Sequence, residues 1–210
     1  MQTIKWSGIQ DPTLFDQIER DLLKSYGVKS SSRKVEDNSW RVQALAYSGN
    51  PKYLETLKKF ARNHKSSRKL RRHSESALES LSDFKKWNPV ISAGTEKAVS
   101  DKELEQIRIE NMLRAEDYTL VRAAGSILFQ NKVAVEPFLP VVVERLEKDY
   151  KTTSVRFPNA DALAWLCKVL GGTGDKKYLP LLEQISEQAP SGDLQRWALN
   201  SMDMISPRGE

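Results

Sequence analysis

Two ten-residue stretches decide how this chain folds: SGNPKYLETL at residues 48–57 and TGDKKYLPLL at residues 173–182. In each, a glycine followed by Asn or Asp breaks one helical segment and a Tyr-Leu pair opens the next, keeping Gly49/Gly174, Tyr53/Tyr178, Leu54/Leu179 and Leu57/Leu182 in register. Working outward, the correspondence continues on both sides. Leu14, Ile18, Leu22 and Tyr26 fall on Phe138, Val142, Leu146 and Tyr150 at an offset of 124 residues. Trp40 and Leu45 fall on Trp165 and Leu170 at 125, and Leu70, Arg72 and Leu81 on Leu194, Arg196 and Ile205. Self-similarity of apolar positions over a long period is the signature of stacked helix pairs, each of which buries one face and needs its neighbours to cover it.

Apolar residues recur at three- and four-residue spacing almost throughout, with no sustained alternating pattern between hairpin turns, so the chain reads as all-α. The expected architecture is a right-handed α-α superhelix, an α-solenoid of about five antiparallel helix pairs. Asp11-Pro12 should start a first helix running to about Tyr26, followed by a serine-rich loop from Val28 to Lys34. A helix holding Trp40, Ala44 and Leu45 should stop at Ser48-Gly49-Asn50, Pro51 should open a third, and a fourth should run from about Ser67 to Leu81. Trp87-Asn88-Pro89 to Gly94-Thr95 reads as a long connection, after which Ser100-Asp101-Lys102-Glu103 forms a capping box. This divides one continuous solenoid into a basic amino-terminal part (1–86), a connecting loop (87–100) and a carboxy-terminal part (101–210). Trp40 and Trp165 are expected in equivalent buried positions, and the helix from Asp161 to Leu170, apolar nearly all round, should be the most buried in the protein.

The segments VLGGTGDKKYLPLLEQI (169–185) and LVRAAGSIL (120–128) resemble HEAT-like repeats of the type found in phycocyanobilin lyases, over most of residues 11–205. That resemblance implies the fold and says little of activity. Regular solenoids have short turns, so the long loops at 27–36, 88–100 and 151–158 depart from it and are places where function could sit.

The 210 residues are 39% hydrophobic and 29% charged, with 10 Gly and 9 Pro, which excludes collagen-like and disordered classes. No apolar run reaches the ~18–20 residues of a membrane span. The first residues lack the basic start and apolar stretch of a secretion signal, so a cytoplasmic location is expected, or a periplasmic one if a leader has been removed. The single cysteine, Cys167, fits a reducing compartment and reads as a buried small hydrophobe. Charge is uneven: residues 1–86 hold 18 Lys and Arg against 10 Asp and Glu, and residues 87–210 hold 15 against 18. Within the first part, Lys58 to His73 carries eight Lys and Arg and no acid.

Weighing the chemistry-bearing candidates leaves no assembled catalytic constellation. His64 and His73 have no carboxylate or cysteine at metal-ligand spacing, and Gly171-Gly172-Thr173-Gly174 lacks the preceding strand and the Lys-Ser/Thr of a phosphate loop. Asp161 before Trp165, and Asp37 before Trp40, invite comparison with alkylated-base DNA glycosylases, which also use a HEAT-like fold with an aspartate and tryptophans facing a cationic groove. The plain alternative is an acid favoured by the helix dipole and an ordinary core tryptophan. The sequence therefore predicts no catalytic residues, no metal and no cofactor. It predicts a binding patch of Lys58, Arg62, Lys65, Arg68, Lys69, Arg71 and Arg72 on a non-catalytic protein-interaction scaffold with an acidic protein partner. The alternative is a nucleic-acid-binding module, glycosylase-like in one version.

Overall fold

The computed structural model describes residues 2–28, 31–130, 134–152 and 159–207. Every regular element there is helical: α1 (Gln2–Lys5), α2 (Pro12–Lys24), α3 (Ser32–Tyr47), α4 (Leu54–Ala61), α5 (Arg68–Ile91), α6 (Asp101–Arg114), α7 (Tyr118–Gln130), α8 (Leu139–Asp149), α9 (Asn159–Gly172), α10 (Leu179–Gln188) and α11 (Gly192–Ile205). The all-α class holds, with ten helices after the four-residue α1 and neighbouring helices packed in pairs. No described helix is long and apolar enough to cross a membrane.

The repeated turn is built from the same hydrogen bonds twice. Ser48 Oγ donates to the Leu45 carbonyl at 2.6 Å and accepts from Asn50 N–H at 3.1 Å, and Asn50 Oδ1 then accepts from Lys52 N–H at 2.9 Å. Thr173 repeats the first two bonds with Leu170 and Asp175 at 2.6 and 3.1 Å, and Asp175 Oδ1 accepts from Lys177 N–H at 3.0 Å. Gly49 and Gly174, at φ +64° and +69°, supply the left-handed residue between them. Short 3₁₀ turns at Pro51–Tyr53 and Lys176–Tyr178 then lead into α4 and α10.

The chain divides into two compact units, Met1–Arg108 and Ile109–Glu210. In the first, α2 packs on α3 and α4 on α5, and the two pairs join where α3 lies along α5. Phe15, Leu22, Leu45, Tyr53, Leu57 and Phe60 are among the side chains sealed in this core, each burial contributing about 1.5–3 kcal/mol. In the second unit α8 packs on α9 and α10 on α11, while α9 lies between α7 and α11. Ten of the fourteen residues of α9 are buried, in accord with its all-round apolar sequence. Glycines let its neighbours close in: a Cβ on Gly125 would stand 2.9 Å from Trp165 Cβ, and one on Gly171 2.9 Å from Ser201.

Several boundaries differ from expectation. The fourth main helix does not end at Leu81; α5 runs on through Pro89 to Ile91, so the first part of the expected 87–100 connection is helix. An internal proline costs about 3 kcal/mol of helix stability, and tertiary packing offsets it here. Phe84 and Ile91 are buried, Trp87 packs on Phe84 and Trp6, and Asn88 Nδ2 donates to the Tyr47 carbonyl at 2.8 Å. The rest of that connection contains a 3₁₀ turn, Thr95–Lys97, before α6. The serine-rich loop is also shorter than expected because α3 begins at Ser32, capped by Ser31. Residues 29 and 30 of it, and 153–158 of the loop expected at 151–158, lie outside the described residues.

Matched positions do not always share burial. Trp40 is 41% exposed where a core residue was expected, and Trp165 is half-buried. The position lies at the rim between stacked helices, so neighbours decide its fate. Trp165 is covered by Phe129 and Lys168, whereas Trp40 has no ring or cation contact among the described residues. Tyr26 at 38% and Leu14 at 37% are likewise more open than Tyr150 at 2% and Phe138 at 3%.

Candidate functional site

The basic residues of the first unit meet at one end of its helix pairs. Phe60 buries against the core and fixes the end of α4, after which Arg62 to Ser66 cross to α5 and Ser67 Oγ caps it by accepting from Leu70 N–H at 3.2 Å. The chain leaving α2 and entering α3 lies beside this crossing. Ser25, Gly27, Val28, Val35 and Asn38 from that side line one cleft together with Phe60, Asn63, Lys65, Ser66, Ser67 and Leu70.

At the helix starts of this end charge runs against helix electrostatics, whereas Lys58 and Lys59 in the last turn of α4 accord with it. The first five residues of α5 include Arg68, Lys69, Arg71 and Arg72, and its first turn holds no acid. The first turn of α3 likewise holds Arg33 and Lys34 and no acid. Helix starts carry about half a positive charge, so cations there are unfavourable by about 0.3–1 kcal/mol each at low salt. The dipole therefore does not account for them.

The seven predicted site residues are not all free. Lys58 pairs with Glu55 at 2.7 Å, Lys69 with Glu36 at 3.6 Å, and Arg71 donates to the His64 carbonyl at 3.3 Å. Arg62, Lys65, Arg68 and Arg72 have no ion-pair partner among the described residues. Lys65 lines the cleft; Arg62 and Arg68 lie at the two ends of the crossing. Sequence reasoning missed an aromatic here. Tyr26 stacks edge-on against Phe60 with ring centroids 5.3 Å apart, leaves part of its ring exposed, and holds Lys59 Nζ 4.3 Å from its centroid. It sits 32 positions before Lys58, so only the packing of the turn after α2 on Phe60 of α4 could reveal it.

The second unit carries a different constellation, spread over α7, α9 and α11. Arg122 pairs with Asp161, and its guanidinium lies 6.0 Å from the Trp165 ring. Lys168 is placed between two indoles, its Nζ 4.0 Å from the Trp165 centroid and 3.7 Å from that of Trp197. Desolvation beside these rings pushes the Lys168 ammonium below the usual lysine range. Of the two aspartates in the glycosylase comparison, Asp161 is engaged by Arg122 at an open surface, and Asp37 is exposed while its neighbour Glu36 is the acid that faces α5 through Lys69. Cys167 is fully buried, and burial pushes its thiol up to about 12, which removes it as a nucleophile at neutral pH. No group of three potential metal ligands occurs among the described residues.

No family model matches the chain, and no curated protein matches it. Among solved structures it is similar to human deoxyhypusine hydroxylase in complex with glycerol, with a TM-score of 0.41 and 12% identity over 95% of this chain and 76% of that one. This corrects the expectation of a strictly non-catalytic scaffold. The similar protein is an enzyme, so stacked helix pairs are no ground for excluding catalysis. At that degree of similarity the likeness carries no reaction over to this chain.

Proposed function

We propose that the first unit binds the sugar–phosphate backbone of nucleic acid through the basic end formed by the α4–α5 crossing and the starts of α3 and α5. The observation that carries this reading is the placement of Arg68, Lys69, Arg71 and Arg72 at the opening of α5, where cations run against the helix dipole and where Arg68 and Arg72 have no ion-pair partner among the described residues. Arg62, Lys65, Arg68 and Arg72 supply charge not committed to an internal acid, and the exposed part of the Tyr26 ring, with Lys59 over it, supplies an aromatic beside them for an unpaired base. The resemblance of the turns to those of phycocyanobilin-lyase HEAT-like proteins bears on the repeat and not on this surface.

Fluorescence anisotropy with a random-sequence single-stranded oligonucleotide at several salt concentrations tests the proposal. Neutralising ~4 phosphates should give a slope of log affinity against log salt near −2.8, at about −0.7 per phosphate for a single strand. The Arg68→Glu/Arg72→Glu double variant should lose the binding while keeping its helical circular dichroism. Absence of binding at low salt, or binding insensitive to salt, would overturn the reading.

A further inference from the structure

We infer that the face shared by α7, α9 and α11 docks a peptide segment of a partner protein in which one carboxylate side chain stands between apolar ones. The exposure pattern of α9 locates it. Of its fourteen residues only Asp161, Trp165, Lys168 and Gly172 are not buried, and their spacing of four, three and four sets them on one side of the helix. The most apolar helix thus opens along a single line that carries an indole and an ammonium. From α7 comes Phe129, 39% exposed, its ring centroid 6.1 Å from that of Trp165. From α11 come half-buried Trp197 and, seven residues on, Met204, 44% exposed. Gly172 puts no side chain against Phe129, where a Cβ would stand 3.5 Å from the ring. Aromatic residues and methionine are the types enriched at the centres of protein contact surfaces.

Charge identifies the occupant. Lys168 Nζ lies 4.0 and 3.7 Å from the Trp165 and Trp197 ring centroids, so two indoles keep water from it, and desolvation holds the ammonium below the usual lysine range. It has no ion-pair partner among the described residues. The neighbouring cations are committed, Arg122 to Asp161 and Arg196 to Asp193. One uncommitted cation among aromatic rings answers to one carboxylate, and because the ammonium is already partly dry, less of the attraction is spent on desolvating it. A polyanion needs several such cations, and residues 87–210 hold 15 Lys and Arg against 18 Asp and Glu, so nucleic acid is the poorer match here. Adjacent helices pack about 8–10 Å apart and an extended chain advances about 3.3 Å per residue, so roughly six residues cross from α7 to α11. That span sets a carboxylate at Lys168 with apolar side chains about two residues away on Phe129 and on Trp197 or Met204.

This face lies within the second unit and shares no residue with the basic end of the first, so either site can fail alone. The probe is a fluorescein-labelled nine-residue peptide with glutamate at its centre, phenylalanine two residues to each side and serine elsewhere, titrated by anisotropy with the whole chain. Saturable binding is expected, at least tenfold weaker when glutamine replaces the glutamate. Lys168→Met keeps the apolar stem between the indoles and drops the charge, so it should weaken the glutamate peptide at least tenfold and erase its advantage over glutamine. Should that variant fail to fold, Phe129→Ser at an exposed position should weaken binding several-fold. The Lys168 ammonium, followed by ¹⁵N NMR, should titrate at higher pH with the glutamate peptide bound. The Arg68→Glu/Arg72→Glu variant should bind the peptide as the parent chain does. No saturable binding up to about 1 mM peptide, equal affinity for the two peptides, or unchanged affinity in folded Lys168→Met would overturn the inference. Displacement of the peptide by a single-stranded oligonucleotide from the Arg68→Glu/Arg72→Glu variant would also overturn it, assigning the face to nucleic acid.

Discussion

Reversing the charge at Arg68 should make the protein more stable and a poorer binder at once. Arg68 is the first residue of α5, and the next residue along, Lys69, and then Arg71 and Arg72 are all basic. Removing a cation from a helix start relieves about 0.3–1 kcal/mol, and putting a carboxylate there gains a similar amount. Arg68→Glu therefore gains about 1 kcal/mol at low ionic strength, with attraction to Arg71 and Arg72 adding a few tenths through helix spacing. Arg68 has no ion pair among the described residues, so no internal contact is lost in exchange. Urea denaturation at 20 mM and 300 mM salt measures this, and the gain should shrink at the higher salt because exposed charges are screened. In parallel, the salt slope of oligonucleotide binding should fall in magnitude by the share of one phosphate, about 0.7. A destabilised Arg68→Glu would show that the arginine serves the fold. An unchanged salt slope would show that it serves no polyanion.

Other outcomes follow from the packing. Gly49→Ala should cost about 2–5 kcal/mol, because the residue has φ +64° and its Cβ would meet Lys85 N and Phe84 C at 2.6 and 2.7 Å; Gly174→Ala, at φ +69° with open space, should cost only about 1–2, and equal losses in denaturant titrations would refute the difference. Phe60→Ala in the core should cost about 3–5 kcal/mol and Trp40→Ala under about 1, as read from urea midpoints. Cys167 should resist a thiol reagent in the native protein at pH 8 and react stoichiometrically once the chain is unfolded, as its thiol is pushed up to about 12. The Asp16 carboxyl is held below its ordinary 3.8 by bonds from Lys52 and Tyr53, so it favours folding above that pH and the benefit fades as acid titrates it; Asp16→Asn should flatten the acid limb of the stability profile below about pH 4.

The sequence carried the helix pairs well because they rest on local chemistry. The SGN and TGD turns, the Asp11 cap before Pro12 and the apolar run of α9 each act through neighbours within a few residues. What escaped depends on distant packing. Pro89 reads as a helix breaker, and the packing of Trp6 and Tyr47 on Phe84 of α5, with the bond from Asn88 to the Tyr47 carbonyl, overrides it. Trp40 reads as core, since nothing in its own helix reveals that it emerges at a rim. The basic patch was visible as a run of charge, but the cleft beneath it was not. Asn38, Ser25 and Tyr26 lie on the neighbouring pair and carry no mark that distinguishes them from any other polar or aromatic residue.

One pair of matched positions in the stacked helices shows how the two units differ. Gln43 of α3 and His73 of α5 touch across the inter-helix seam, with the amide Nε2 2.8 Å from the imidazole Nδ1. Counted through the repeat, the same seam in the second unit holds Lys168 and Trp197, joined by a cation over a ring. The two seams occupy matched positions while the interactions that span them differ in kind. Such a seam tolerates exchange in pairs and resists it singly. Gln43→Lys alone would bring an ammonium beside an imidazole, whereas Gln43→Lys with His73→Trp would transplant a working contact from one copy into the other. Chimaeras that swap whole helices between the units are thus better cut so that both members of a seam travel together.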